Sequence, residues 1–276
     1  MRAVSFAWAG VRLVHPAPTL AVTALSAALG AVLLSQAGQA LGSRWWLTVA
    51  AVLGSQVFTG AVNDVVDRSR DAAAGRLEKP LAAGELSLDA ALWIASAGLG
   101  LQLAASLQLG AAALLLGAGA TASGLAYNLW LSRSPLSVVP YLVSFGLLPL
   151  WVAAGVGASL ERVAPAVPLV APFAAAAHLA NVTRDYAGDL ALGSRNLAQV
   201  LGPRASVWLS YAIALAVGAG VGVALVLGGR GNPAVIGLGL LGLAAVAQGA
   251  GSASRLWYGI LVAAFAWCAA WALSTG

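Results

Sequence analysis

Long apolar segments dominate this sequence and restrict the folds open to it. Breaks at glycine, proline and charged residues leave nine such segments, which lie near residues 17–36, 43–66, 87–107, 109–130, 136–158, 165–187, 205–228, 232–250 and 254–274. A helix of about 20 apolar residues crosses roughly 30 Å of hydrocarbon, so each segment can span a bilayer. The segments lack the alternation typical of barrel strands. The sequence therefore predicts an all-α integral membrane protein of about nine transmembrane helices, with residues 1–276 forming a single domain.

Composition supports this fold class and excludes several functions. Hydrophobic residues make up 61% of the 276 residues and charged residues 8%, and the mean hydropathy is +0.89. A soluble domain carries about 25% charged residues, so this chain has too few polar side chains for a water-facing surface. The single cysteine, Cys268, excludes an internal disulfide, and two histidines are too few for a usual zinc site. No basic run with interleaved aromatic residues indicates nucleic-acid binding.

The distribution of basic residues predicts the orientation. With the N-terminus in the cytoplasm, the positive-inside tendency is satisfied, because far more basic residues fall inside than outside. The inside set is Arg2, Arg12, Arg68, Arg70, Arg76, Lys79, Arg133, Arg184, Arg195, Arg204 and Arg255, and the outside set is Arg44, Arg162 and Arg230. This count requires the first span to be retained rather than cleaved as a signal peptide, the other interpretation of the basic N-terminus and the apolar residues 20–34. We therefore predict a multi-pass protein of the cell membrane.

Polar residues end two of the apolar segments. NDVVDRSRD, residues 63–71, closes the second segment. Asn63, Asp67 and Asp71 recur at every fourth position. With Asp64 they occupy a sector of about 100° on one helix face, if the helix continues that far. The predicted orientation places this face at the cytoplasmic end of its span.

A second stretch repeats the spacing. NVTRDYAGD closes the sixth segment, and Asn181, Asp185 and Asp189 again recur at every fourth position. His178 falls on the same face one turn earlier, and we favour the interpretation that it is a packed polar residue. A single D-x-x-D is often only a solvated helix end. Two stretches of matching spacing, on the same predicted side of the membrane, instead favour a functional site.

The side chains in these stretches indicate a cation. They include five of the nine acidic residues of the chain. Carboxylates at membrane depth are costly and repel one another on a shared face, so positive charge must offset them. Nearby arginines alone could do so. Oxygen donors without cysteine and with little histidine instead fit Mg²⁺, which is typically held by one or two carboxylates together with substrate phosphates. A diphosphate bridged by Mg²⁺ and bound by arginines fits this combination.

The motifs resemble those of the UbiA superfamily of intramembrane prenyltransferases. The family pattern N-D-x-x-D-x-x-x-D is matched in full by Asn63, Asp64, Asp67 and Asp71. KPLAAGELS, residues 79–87, is similar to the family segment R-P-L-x-x-G-x-I-S, with Lys79 in the place of the arginine. YNLWLSR, residues 127–133, is similar to the tyrosine-led stretch that closes the fourth helix.

The second motif also resembles that of the family. The chain departs from the family pattern at two positions, one in this motif and one near the N-terminus. RDYAGDLALGSRNLAQVLG, residues 184–202, matches the family pattern at Asp185, Asp189, Gly193 and Arg195. Asn196 stands where threonine is common. VRLVHPAP places His15 where the family usually has an arginine before its first proline.

The resemblance implies a fold and a reaction. The fold is nine transmembrane helices around a central cavity open to lipid, with two Asp-rich helix ends facing each other beneath cytoplasmic loops after the second and sixth helices. The reaction is Mg²⁺-dependent transfer of a prenyl group from a polyprenyl diphosphate. The implied magnesium ligands are Asn63, Asp64, Asp67, Asp71, Asn181, Asp185 and Asp189. The implied substrate-binding residues are Arg68, Lys79, Arg133 and Arg195 for the diphosphate, and Tyr127 for orienting substrate or shielding a cation.

Several alternatives stay open at the level of sequence. A phenolic or quinone-precursor acceptor is expected by default, and no obligatory protein partner is evident. A cyclase of the same family would ionise the same substrate without an acceptor. A CDP-alcohol phosphotransferase is disfavoured because no D-G pair follows the first aspartates. A transporter is disfavoured because its carboxylates are expected near the bilayer midplane.

Overall fold

The computed structural model describes residues 2–227 and 232–274, with the side chains of residues 2–5 and 227 excluded. Over these residues the chain is helical and contains no β-strand. The helices are α1 Arg2–Leu13, α2 Pro16–Gln36, α3 Ser43–Ala73, α4 Leu88–Leu109, α5 Ala111–Leu129, α6 Val139–Val156, α7 Val167–Arg184, α8 Tyr186–Ala191, α9 Leu197–Leu201, α10 Pro203–Leu227, α11 Pro233–Ala247 and α12 Ala253–Ser274. Arg230, counted above as an outside charge, lies outside the described residues.

The predicted fold class is confirmed. Within the described residues, eight helices are long and apolar enough to cross a membrane. The predicted span at 232–250 corresponds to α11, which has 15 residues and is about 22 Å long, shorter than the hydrocarbon core. The number of nine spans and the predicted cytoplasmic loops therefore stay predictions.

Two helix boundaries differ from the sequence prediction for identifiable reasons. The amphipathic helix α1 is too short to appear as an apolar segment. Helix α3 continues beyond the predicted end at 66 through the polar residues to Ala73, because charged side chains are compatible with a helix that leaves hydrocarbon. It ends where Gly75 adopts a positive φ of 67°, and the Ala74 N–H donates to the Arg70 carbonyl at 2.8 Å.

The chain divides into two compact units. The first comprises Met1–Leu34, Gln39–Leu129 and Leu150–Leu160, and the second comprises Ser35–Gly38, Trp130–Pro149 and Glu161–Gly276. Each unit carries one of the two acidic stretches. The first unit therefore holds Asn63 through Asp71 on α3, and the second holds Asn181 through Asp189 on α7 and α8.

Glycine contacts hold α3 against α4 in the first unit. A Cβ atom on Gly54 would lie 2.6 Å from the Gly98 carbonyl oxygen, and one on Gly98 would lie 2.8 Å from the Gly54 carbonyl oxygen. Small residues allow this close approach of helices where the hydrophobic effect of water is absent. The pairing fixes the helix that carries the first acidic stretch.

Helices α7, α10, α11 and α12 pack together in the second unit. Their buried residues form one cluster, which consists of Ala176, Ala180, Val207, Ala214, Val217, Val246, Leu256, Ile260, Ala263 and Trp267. The Ser210 hydroxyl donates to the Ala176 carbonyl at 2.7 Å, so a polar contact also joins α10 to α7. This packing holds the helix from which the second acidic stretch extends.

Candidate active site

The first acidic stretch lies on one uninterrupted helix. Because α3 continues to Ala73, the four polar residues share the helix face that their spacing predicts. The side chains of Asp64 and Asp71 are buried, at 1% and 3% exposure, whereas Asp67 is partly exposed. Arg68 is exposed on the same helix. Two carboxylates are thus withdrawn from water, and each requires a compensating positive charge.

Asp64 contacts two residues from outside α3, of which Lys79 carries the compensating positive charge. The Lys79 Nζ atom lies 2.5 Å from Asp64 Oδ1, and His15 Nε2 lies 2.9 Å from the same oxygen. Lys79 Nζ and His15 Nε2 are 3.3 Å apart. The α3–α4 loop, residues 74–87, supplies the lysine, and the turn between α1 and α2 supplies the histidine. The sequence predicts a role for Lys79 but none for His15.

His15 has an unusual backbone conformation. Among the described residues it is the only non-glycine residue with a positive φ, at 52°. Its N–H donates to the Arg12 carbonyl at 3.1 Å, and its own carbonyl accepts from the Thr19 N–H at 3.2 Å. A left-handed conformation costs an L-residue roughly 1–2 kcal/mol. The backbone of this turn is therefore strained at the residue whose imidazole contacts Asp64.

The second carboxylate oxygen of Asp64 is buried and has no hydrogen-bond partner among the described residues. An acceptor left unsatisfied in this way costs about 1–3 kcal/mol, and more when it is charged. A bound cation would remove the cost. This oxygen is therefore the single feature of the first unit that most directly indicates a ligand.

Asp71 is compensated by an arginine that sequence reasoning did not assign to the site. The turn after α3 brings the chain back towards the end of that helix, where the Arg76 N–H donates to the Asp71 carbonyl at 2.9 Å. The Arg76 side chain then donates to Asp71 Oδ1 at 3.1 Å. Proximity in sequence suggested several arginines equally, and only the turn geometry selects Arg76.

Asn63 connects the first stretch to α5. Its amide Nδ2 donates to Asn128 Oδ1 at 3.3 Å, and Asn128 Nδ2 donates to the Thr59 carbonyl at 2.8 Å. Asn128 is buried, at 5% exposure, and directly follows Tyr127. The structure thus places the tyrosine-led stretch beside Asn63, a contact that the sequence spacing did not predict.

The second acidic stretch is interrupted. Helix α7 ends at Arg184, Asp185 has φ and ψ of −94° and 10°, and α8 begins at the next residue. Helix α7 thus ends three residues before the predicted end of the span near residue 187. The Thr183 hydroxyl donates to the Leu179 carbonyl at 2.6 Å, and bonding of this kind bends a helix. Asn181 and Asp189 consequently lie on different helices.

Arg184 occupies the break between the two helices. Its side chain donates to Asn181 Oδ1 at 2.9 Å, and its Nε lies 3.6 Å from Asp185 Oδ1. The guanidinium also lies over the Trp257 ring, 4.9 Å from the centroid, a favourable cation–π arrangement. From the sequence, this arginine is expected only to contribute to the orientation of the chain in the membrane.

Asn196, which stands where threonine is common in the family motif, contacts both α9 and Asp189. Its Oδ1 accepts from the Ala198 and Gln199 N–H groups and caps α9, while its Nδ2 donates to Asp189 Oδ2 at 3.2 Å. One buried amide thus accepts at the N-terminus of α9 and donates to Asp189. The asparagine therefore ties α9 to Asp189.

Backbone contacts bring Arg133 and Arg195 together. The Arg195 N–H donates to the Arg133 carbonyl at 3.1 Å, and the side chain of Arg195 is exposed. The turn before it depends on Gly193, which has a φ of 72°. These two predicted diphosphate ligands therefore neighbour each other within the second unit.

His178 is a packed polar residue in this structure. It is buried, its Nε2 lies 3.1 Å from the Ser137 hydroxyl, and its ring stacks on Tyr141 with centroids 4.2 Å apart. The Ser137 hydroxyl also accepts from the Leu197 N–H at 3.3 Å. The histidine thus joins α7 to the segment before α6 and to α9.

Each acidic stretch has donors suited to magnesium rather than a complete metal cage. Within residues 2–227 and 232–274, no group of three or more His, Cys, Asp or Glu side chains is arranged to hold a metal. Mg²⁺ does not need such a group, because waters and substrate phosphates usually complete its shell. The unsatisfied oxygen of Asp64 and the partly exposed Asp67 are hard donors of the required kind. The residues present therefore fit magnesium.

Comparisons with known proteins agree on one family. A family model described as the UbiA prenyltransferase family matches residues 23–255. The comparison with curated proteins found no match. Three solved structures give the same architecture at low identity, which for each of them indicates the fold alone.

The first of these structures is a UbiA homologue from Archaeoglobus fulgidus bound to GPP and Mg²⁺, with a TM-score of 0.74 and 18% identity, covering 97% of this chain and 100% of that one. The second is an apo UbiA homologue from Aeropyrum pernix K1, with a TM-score of 0.72 and 22% identity, covering 90% and 96%. The third is described in connection with digeranylgeranylglyceryl phosphate synthase in membranes, with a TM-score of 0.71 and 14% identity, covering 96% and 98%.

Proposed function

Since this chain belongs to the UbiA prenyltransferase family, we propose that it transfers a prenyl group from a polyprenyl diphosphate to an acceptor within the membrane and releases diphosphate. The observation that carries the proposal is the first acidic stretch. Four polar side chains share one helix, and a buried oxygen of Asp64 has no partner among the described residues. This is an arrangement that a cation and its phosphate ligand would complete.

Magnesium is the proposed cofactor. The bound GPP and Mg²⁺ of the Archaeoglobus fulgidus homologue support this choice, as does the oxygen donor set described above. The proposed ligands are Asn63, Asp64, Asp67, Asp71, Asn181, Asp185 and Asp189, directly or through water. When bound, Mg²⁺ supplies positive charge that stabilises the departing diphosphate.

The basic side chains are proposed to hold the diphosphate. An ammonium group has three N–H donors, so Lys79 can bind a phosphate oxygen while it keeps its contact with Asp64. Arg68, Arg133 and Arg195 are the other proposed ligands. Preorganised donors of this kind stabilise charge that develops in the transition state without reorganising during the reaction.

The proposed reaction breaks one bond and forms one bond, with every electron pair and proton accounted for. The bond between prenyl C1 and oxygen breaks, and its electron pair leaves with the diphosphate. An electron pair of the acceptor then forms the new bond to C1, and the acceptor releases a proton. Apolar surroundings exclude water and so limit hydrolysis of the allylic cation. Tyr127 is proposed to orient the substrate or to shield this cation.

The finer assignments are also proposals. We expect a phenolic or quinone-precursor acceptor, as the family resemblance implies. We further propose that residues 1–276 act as one catalytic domain, that both acidic stretches serve the same reaction, and that both lie on the cytoplasmic side of the cell membrane. The excess of basic residues in the segments near the two stretches supports this orientation.

The direct test is product analysis with purified protein in lipid vesicles. Mg²⁺ and labelled geranyl, farnesyl or longer prenyl diphosphates are supplied with and without phenolic, sugar phosphate and glycerol phosphate acceptors. Diphosphate release and the mass of the lipid product are then measured. A prenylated acceptor is expected. A cyclised product formed without acceptor would show that the protein is a cyclase rather than a transferase. Uptake into vesicles without diphosphate release would show that it is a transporter rather than an enzyme.

A further inference from the structure

Helix α1 packs against the loop that carries Lys79. The fully buried side chains of Ala9 and Leu13 belong to one cluster with Leu81 and Leu86 of the α3–α4 loop. The same cluster includes buried alanines of α3 and α4. The loop is therefore held from one side by an amphipathic helix that precedes the first membrane span.

Arg12 adds polar contacts to this packing. Its NH2 group forms an ion pair with the Glu85 carboxylate, and its NH1 group donates to the Glu78 carbonyl in a long hydrogen bond of 3.5 Å. Glu78 directly precedes Lys79. The side chain of Arg12 is only 26% exposed, so its guanidinium is partly withdrawn from water. One arginine thus contacts both sides of the segment that supplies the lysine.

Hydrogen bonds within the loop link these contacts to Lys79. The Lys79 N–H donates to the Arg76 carbonyl at 3.1 Å, and the Lys79 carbonyl accepts from the Ala83 N–H at 2.9 Å. The Glu85 N–H donates to the Pro80 carbonyl at 2.9 Å. These turns leave little freedom between Glu85 and Lys79, so a shift at one end moves the other.

We propose that Arg12 is a positioning residue, which fixes the α3–α4 loop so that the Lys79 ammonium stays beside Asp64 and ready to bind a diphosphate. This inference rests on the proposed function, in which Lys79 binds that group. A lysine side chain on a mobile loop loses backbone and rotamer entropy when it binds a ligand. Fixing the loop beforehand removes part of this cost and raises affinity without a new contact to the substrate. Arg12 therefore acts on binding through Lys79, and no contact between Arg12 and the substrate is required.

The test compares four variants with wild-type protein. They are Arg12→Gln, Glu85→Gln, the exchanged pair Arg12→Glu with Glu85→Arg, and the control Arg162→Gln, which removes an exposed arginine from another segment. Binding of the uncleavable analogue geranyl thiodiphosphate is measured with Mg²⁺, together with KM and kcat for geranyl diphosphate. Each single variant is expected to bind about tenfold more weakly, which corresponds to 1.4 kcal/mol, with little change in kcat. The exchanged pair should recover most of the affinity, and the control should bind like wild type.

A double-mutant cycle separates positioning from a direct role. In a Lys79→Gln background, Arg12→Gln is expected to add little, because its effect passes through the missing lysine. Additive losses, unchanged binding in both single variants, or an exchanged pair as weak as the single variants would each overturn the inference.

Hydrogen exchange tests the contact without any ligand. The amides of Ala83 and Glu85 should exchange faster in Arg12→Gln than in wild type or in Arg162→Gln. Equal rates in all three proteins would overturn the positioning role. If wild-type protein fails to bind the analogue while Arg12→Gln still loosens the loop, the proposed function is wrong and the role of Arg12 in holding the loop stands.

Discussion

Lys79 Nζ lies 2.5 Å from Asp64 Oδ1, and this contact joins the end of α3 to a loop residue fifteen positions later in the chain. The Asp64 side chain is 1% exposed and the Lys79 side chain is 19% exposed. Removing either partner would leave the other charge poorly compensated. The pair therefore fixes the loop on the helix, and it also leaves the second carboxylate oxygen of Asp64 available to a cation.

Removing the lysine should affect stability and binding differently. Lys79→Met leaves a buried carboxylate with His15 as its remaining partner, and we expect a loss of about 2–4 kcal/mol in the free energy of unfolding. Adding Asp64→Asn should recover much of this stability, while diphosphate binding stays weak. Thermal unfolding and analogue binding measure the two effects. Recovery of binding in the double variant would contradict the role of Lys79 as a substrate ligand.

The acidic residues of both stretches should be required for turnover. Asp67→Ala and Asp185→Ala are each expected to reduce diphosphate release by at least about a hundredfold, as the loss of electrostatic stabilisation in a transition state does. Both proteins should still insert into membranes. Asp89→Ala, which removes an exposed carboxylate from the first turn of α4, is the control. A near wild-type rate in either test variant would show that the metal assignment is wrong.

Two substitutions at His15 separate backbone strain from side-chain contact. Both His15→Ala and His15→Gly lose the contact with Asp64, but only glycine adopts a φ of 52° without strain. We expect the glycine variant to be the more stable of the two by about 1 kcal/mol. Thermal unfolding in the same detergent provides the comparison. Equal stabilities, or a more stable alanine variant, would show that this turn relaxes without cost.

The contact between α3 and α4 can be tested at a glycine. Gly54→Ala would place a Cβ atom 2.6 Å from the Gly98 carbonyl oxygen, and we expect a loss of about 1–3 kcal/mol from the resulting overpacking. Gly100→Ala is a matched control on α4, because a Cβ atom there has no neighbour within 4 Å. The control should be neutral or slightly stabilising. Similar unfolding temperatures for the two variants would contradict the observed helix packing.

Asn196 should act both as a helix cap and as a partner of Asp189. Asn196→Ala loses both contacts, and loss of the cap alone costs about 1 kcal/mol. Asn196→Asp keeps a capping oxygen but places a second carboxylate beside Asp189. We therefore expect the aspartate variant to keep most of its stability and to have a higher KM for the prenyl diphosphate. Thermal unfolding measures the stability of each variant, and steady-state kinetics measures its KM. An aspartate variant as unstable as Asn196→Ala, or one with a wild-type KM, would contradict these two roles.

Periodicity predicted the first acidic stretch well because one continuous helix carries it. The positions of Asp64 and Asp71 on α3 follow directly from their spacing. The same rule failed at Asp185, since the helix ends one residue earlier and the spacing alone does not reveal the bend at Thr183. Whether these residues bind magnesium stays a prediction.

The partners of the acidic residues were harder to predict. Arg76 contacts Asp71 because a tight turn follows α3, and Asn128 on α5 contacts Asn63 on α3 because the two helices are neighbours. Such contacts depend on turn geometry and helix packing, which a linear spacing does not contain. His15 shows the same limit, because its positive φ arises from the turn into α2 and its identity suggested only a departure from the family pattern.

The length of α3 has a consequence for its acidic end. Its 31 residues extend about 46 Å, which exceeds a hydrocarbon core of roughly 30 Å. Asp71 lies in the last turn, where the aligned peptide dipoles leave partial negative charge and where basic residues are normally favoured. This carboxylate is therefore placed against the macrodipole of its own helix. Because we propose that the stretch binds Mg²⁺, the free energy of unfolding should rise when the ion is added, and a thermal shift would report that binding.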